Sequence, residues 1–155
     1  MLKFLAGAVL ASEAAHQTYE IHQRRVVFNE ARRWCDQVGK PLLVIGAPKL
    51  GFNHPCGDVT IDLSPNIIST CPYEIADVRE IPYPAGEFGA AYISHVLEHL
   101  PTVDDAYLAL SELHRVADKV FVVSPHKTSV AAWLMPHHHL WVTEKEDGEF
   151  VIQQR

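Results

Sequence analysis

The sequence predicts an α/β fold: a mostly parallel sheet with helices on both faces and an antiparallel hairpin at the C-terminal end. Three observations predict it. After Pro41 the chain breaks into short apolar runs bounded by turn residues, Leu42–Ile45, Val59–Ile61, Ala90–Ser94 and Val120–Val123, which is how strands buried on both faces read. The last two runs flank an amphipathic helix, and strand, helix, strand is the crossover that parallel pairing requires. The 155 residues, 48% hydrophobic and 21% charged, suit one soluble domain, which at this length hides roughly 68–70% of the surface its unfolded chain exposes.

From about Phe4 to Gln37 no proline occurs and only Gly7 interrupts, while Val27, Ala31 and Trp34 recur at helical spacing beside Phe28 and Cys35. This predicts one long helix ending near Gly39-Lys40-Pro41. Residues 1–40 therefore form an N-terminal helical segment that caps the domain or binds a partner or second copy, and residues 41–155 form the α/β domain. The pairs Arg24-Arg25 and Arg32-Arg33 alternate with Glu20 and Glu30 and read as a solvated helix face. The crossover helix starts near Thr102, with Asp104 and Asp105 at the positive end of its dipole and Ala106, Leu110, Leu113 and Ala117 facing inward. Leu140–Thr143 and Glu149–Ile152 flank Glu144–Gly148, so a hairpin with Asp147-Gly148 in its turn closes the chain.

A net charge of -6 argues against nucleic acid bound by general electrostatic attraction, which needs a basic surface to displace counterions. The three cysteines Cys35, Cys56 and Cys71 form no C-x-x-C pair, and their odd number predicts reduced thiols in the cytoplasm. The opening M-L-K-F-L-A-G-A-V-L-A has the texture of a short signal peptide. It is far shorter than the ~20 residues that span a bilayer, so no transmembrane span is expected and a capping or partner-binding helix is.

The phrase A-D-V-R-E-I-P-Y-P-A-G-E-F-G-A-A-Y-I-S-H-V-L-E-H-L, Ala76 to Leu100, with S-E-L-H-R-V at Ser111 to Val116, resembles the middle of a class I S-adenosylmethionine-dependent methyltransferase. The resemblance runs roughly from Leu42 to Trp141 and is nearest to a compact subgroup, the methyltransferase type 11-like one, in which the first two strands are joined by a short loop. Here the residues from Ala47 to Asp58 separate them, and Pro48, Gly51, Pro55 and Gly57 leave little room for a helix. The resemblance implies a Rossmann-like sheet, S-adenosylmethionine as cofactor, and methyl transfer to an acceptor, small molecule or protein, that it does not identify.

Strand ends in such a sheet converge on a crevice, so side chains just past each strand meet one ligand. Asp62, after Val59-Thr60-Ile61, is by resemblance the acid that takes the ribose hydroxyls. Asp77, with Val78 beside it, falls where the family contacts adenine; the plainer reading of either aspartate is a turn or helix cap. Gly46 lets backbone approach a ligand, Ala47 follows it, and Gly51 permits a turn. Family members carry an acidic residue two places before the first glycine and alternating glycines after it; this chain has Val44 and Ala47-Pro48-Lys49-Leu50.

Ser94 and His95 fall at the end of the fourth strand, which the resemblance puts beside the transferring methyl. A histidine titrating near neutrality suits proton abstraction from an oxygen or nitrogen nucleophile, so His95 is the first candidate base and His126, in Ser124-Pro125-His126, the second. His95-Val96-Leu97-Glu98-His99 also fits H-x-x-E-H, the inverted zinc-protease motif, which needs the motif inside a helix and a third ligand. Pro101 interrupts too soon for that helix. His137-His138-His139 reads as a polar loop at the pocket rim, and no residue is assigned as a metal ligand. The competing class is a non-catalytic methyltransferase-like module, suggested by Val44, the shortened first loop, the lack of a glycine-rich turn before the fifth strand and the apolar N-terminal helix.

Overall fold

A computed structural model describes residues 2–49 and 55–155, with the side chains of the first helix from residue 13 onward. In chain order the elements are α1 Leu2–Val38, β1 Leu42–Ile45, β2 Val59–Asp62, β3 Glu74–Ile75, β4 Phe88–Ser94, α2 Val103–Val116, β5 Ala117–Val123, α3 Val130–Leu134, β6 Leu140–Glu144 and β7 Phe150–Gln154. A single 3-10 turn covers Leu97–His99. No described helix is long and apolar enough to cross a membrane.

Five strands form one sheet in the order β3-β2-β1-β4-β5, and every pairing in it is parallel. Alternation within the strands sends side chains to two faces. Leu42, Val44, Ala90 and Tyr92 pack with Ala31 and Cys35 of α1, whereas Leu43, Ile45, Ala91 and Ile93 pack with Ala106, Ala109, Leu113 and Val116 of α2. The helices thus cover opposite faces, as the sequence predicts. Close approach of α1 needs Gly89: a Cβ there would stand 2.9 Å from Val38 Cγ2.

The crossover helix starts where expected, because the Thr102 hydroxyl accepts the Asp105 amide at 3.1 Å. Its inward face is Ala106, Ala109, Leu110, Leu113 and Val116, which adds Ala109 to the expectation and puts Val116 in place of Ala117, since Ala117 already begins β5. The terminal hairpin pairs β6 with β7 antiparallel around Gly148 at φ 83°. It forms a separate sheet whose Leu140, Val142 and Ile152 join the α2-side core.

Two short elements, β3 and α3, were not anticipated. Glu13 of α1 supplies the start of α3: its carboxylate accepts the Val130 amide at 2.9 Å and the Ala131 amide at 3.2 Å. The expectation of three reduced thiols is corrected. Cys56 and Cys71 are joined in a disulfide with Cα atoms 6.2 Å apart, and the odd cysteine is Cys35, buried and free. The parallel neighbours β1 and β2 send their following loops alongside one another, Thr70 N–H donating to Pro48 O at 3.1 Å, which sets the two sulfurs within reach.

Candidate active site

The carboxyl ends of β1, β2 and β4 open onto a cleft of about 440 Å³ lined by Gly46, Ala47, Asp62, Ser64, Ser94 and His95. Four of the sequence-predicted residues, Gly46, Ala47, Asp62 and Ser94, thus meet at one mouth, with His95 beside them. Gly51, also predicted, lies outside the described residues. Gly46 sits at φ 95°, a conformation costly for any residue with a Cβ, and an added Cβ would come within 3.2 Å of Val96 Cγ2. That bare edge is what a ligand at the strand ends needs.

Asp62 is fixed before any ligand arrives. One carboxylate oxygen accepts the Ala47 amide and the other the Ser64 amide, both at 2.8 Å. An ionised carboxylate has about four lone-pair positions, so each oxygen keeps capacity for a further donor such as a hydroxyl. Val44, where the family carries an acid, is 3% exposed and part of the α1-side core.

Asp77 and Val78 are placed elsewhere. The Asp77 carboxylate is held by Arg79, whose Nη2 donates to Oδ2 at 2.7 Å, and Arg79 reaches on to Asp105 Oδ1 at 2.7 Å. Hydrogen bonds from Arg79 hold the Asp77 carboxyl below its ordinary range. Val78 is buried in the α2-side core. Neither residue lines the cleft.

Next to this cleft lies a larger cavity of about 860 Å³, walled by α1 on one side and by the chain between β5 and β6 on the other. Arg24, Lys49, His95 and His99 line both spaces, so the two chambers meet at those side chains. Arg25 and Phe28 also face the larger one. The expectation of a solvated face is corrected for Arg24, which is half-buried over the cavity where α1 crosses the strand ends, whereas Arg25 lines the cavity and is exposed, as expected. Arg32 instead pairs with Asp58 at 2.6 Å.

His95 occupies the junction. Its backbone stands at φ 54°, in the left-handed region that few non-glycine residues enter and that costs of order 1 kcal/mol. The turn aims the ring at Glu98, with Nδ1 3.4 Å from Oε1. Glu98 is 1% exposed, and burial pushes its carboxyl up to about 8. His126 lines neither chamber; its Nδ1 is 2.7 Å from Thr128 Oγ1 and its ring lies beside His16.

The helix that H-x-x-E-H zinc chemistry requires is absent among these residues: Leu97–His99 is one 3-10 turn, and His95 precedes it in left-handed backbone. His138 comes in from the far side instead. It is 9% exposed, its ring stands edge-on to His99 with centroids 4.8 Å apart, and burial pushes its imidazole down to about 4. Arg24 and Lys49 escape sequence reasoning because helical charge pattern and loop each read as solvent-facing, whereas His138 lines the cavity whose rim the histidine triplet is expected to form.

Residues 52–120 match the model of a family described as a methyltransferase domain. No curated protein matches the chain.

Proposed function

We propose that this chain, whose residues 52–120 match a methyltransferase domain family, uses S-adenosylmethionine to methylate an acceptor seated in the larger cavity, with His95 as the base. The observation that carries this reading is the meeting of Gly46, Asp62 and His95 at one mouth between two chambers. Bound there, the cofactor supplies an electrophilic methyl on a positively charged sulfur. Asp62 would hold the ribose end, Gly46 and Ala47 would admit the nucleoside against bare backbone, and Ser94 would floor the cleft. Asp77 and Val78 stay with the Arg79 turn and the core.

His95 takes the proton that an oxygen or nitrogen nucleophile must lose. The Glu98 carboxyl faces the ring from 3.4 Å away and fixes its orientation. The acceptor we infer is anionic and of small-molecule size: the chamber is about 860 Å³, within the span of small-ligand sites, and Arg24, Arg25 and Lys49 line it. Positioning by these side chains is the main source of rate in such a displacement. Action in the cytoplasm fits this reading if the Cys56–Cys71 bridge is reduced there.

Val44 favours a second reading, a non-catalytic module that keeps the fold without the cofactor contact. Thermal unfolding with S-adenosylhomocysteine separates the two. At ~100 times its dissociation constant the ligand adds ~2.7 kcal/mol, a rise of roughly 5–10 °C in Tm for a domain of this size, and Asp62→Ala abolishes the rise. No shift at millimolar ligand would leave only the module.

A further inference from the structure

We propose that Glu98, His99 and His138 bind one divalent transition-metal ion of the zinc class, with a coordination position open toward the larger cavity. The three side chains each offer a ligand atom, and these atoms lie within 4.8 Å of one another. A tetrahedral zinc site with bonds of 2.0–2.2 Å spaces its ligands by about 3.4 Å. Binding would require the three side chains to close that difference.

Two buried groups already lack the partner an ion supplies. Neither carboxylate oxygen of Glu98 accepts a hydrogen bond from a described residue, and Nδ1 of His138 is buried without one. Uncompensated buried polar atoms are costly. One Glu98 oxygen can serve His95 while the other serves the ion.

The outer partner of His99 matches that of metal-bound histidines, which pass their second nitrogen to a carbonyl. His99 Nδ1 lies 3.0 Å from the His137 carbonyl oxygen; donating there leaves Nε2 as its lone pair. The segment is clamped in register, because the His139 amide donates to Glu98 O at 2.7 Å and Arg155 Nη1 donates to Met135 O at 2.8 Å. Two imidazoles and a carboxylate suit zinc rather than calcium or magnesium, which take oxygen sets. Three protein ligands leave a fourth position, and His99 and His138 line the larger cavity, so that position faces it.

Isothermal titration of the chelator-stripped full chain with zinc chloride tests the site. One ion per chain is expected. His99→Ala, His138→Ala and Glu98→Gln each weaken binding by more than the roughly 10–100-fold lost with an outer-shell partner, while His139→Ala, a neighbour in the same histidine run, binds as the parent does. Absence of stoichiometric binding, or unchanged affinity in either ligand histidine variant, overturns the proposal. If those variants fail to fold, X-ray absorption of the zinc-loaded parent reads the donor set: two imidazoles with oxygen donors support the site, and a sulfur donor or fewer imidazoles refute it. Zinc is titrated without cofactor, so this result and the S-adenosylhomocysteine shift stand or fall separately.

Discussion

The His95 imidazole and the buried Glu98 carboxyl face each other across 3.4 Å at the junction of the two chambers. His95 is held there by left-handed backbone at φ 54° and by its amide, which donates to Val123 O at 2.9 Å. The pair therefore belongs to the strand ends and not to an α-helix.

His95→Ala should lower turnover by roughly 10²–10⁴-fold, the range supplied by a positioned general base, with S-adenosylhomocysteine affinity unchanged. Glu98→Gln should lower turnover less, because an amide of the same shape still orients the ring. Steady-state kinetics across pH, beside a binding titration, reads both. Parent-like kcat in His95→Ala removes the base assignment.

Stability of the chelator-treated protein should fall between pH 6.5 and 8. Glu98 has its folded pKa raised from 4.5 to about 8, so the native state binds the extra proton throughout that window and loses ground as pH rises. His138 works in the opposite sense and lower down: its value drops from 6.5 to about 4, so stability rises with pH between those values. Urea midpoints at pH 6.5 and 8 should differ in the parent and converge in Glu98→Gln. Equal slopes in both proteins would contradict the burial of Glu98.

Removing the Cys56–Cys71 link should cost roughly 3 kcal/mol by loop-closure entropy, its ends being 15 residues apart. At this chain length that is roughly 6–12 °C in Tm. The Cys56→Ser, Cys71→Ser double variant should melt like the reduced parent. A parent whose melting ignores dithiothreitol speaks against the bridge.

Gly46→Ala should be destabilised by about 1–2 kcal/mol, since φ 95° lies in the region costly for L-residues and the new methyl approaches Val96 at 3.2 Å. It should also weaken S-adenosylhomocysteine by at least tenfold, because the methyl fills the bare edge of the cleft. Calorimetric unfolding with and without ligand measures the two effects together.

Much of the fold was legible because its signals are local. The runs at Leu42, Val59, Ala90 and Val120 are buried on both sides, so they are apolar throughout; Thr102 with the inward alanines and leucines carries the helical period. β3 has two residues and α3 five, too few for any period to register. The disulfide was hidden for another reason: Cys56 and Cys71 meet only because parallel pairing lays two loops side by side. Asp62 was legible as a polar residue ending an apolar run, whereas Asp77 presents the same local pattern and is taken by Arg79 two places on.

By itself, the sequence determined the layers, the direction of the sheet, and the gathering of Gly46, Asp62, Ser94 and His95 at one edge, since apolar periodicity and strand polarity are properties of neighbours along the chain. Tertiary structure alone decided that Arg24 overlooks the cleft, that His138 rather than His95 completes a trio with Glu98 and His99, and that Glu98 is buried. Those outcomes depend on which distant surfaces exclude water from one another, and exclusion of this kind is a property of packing in space.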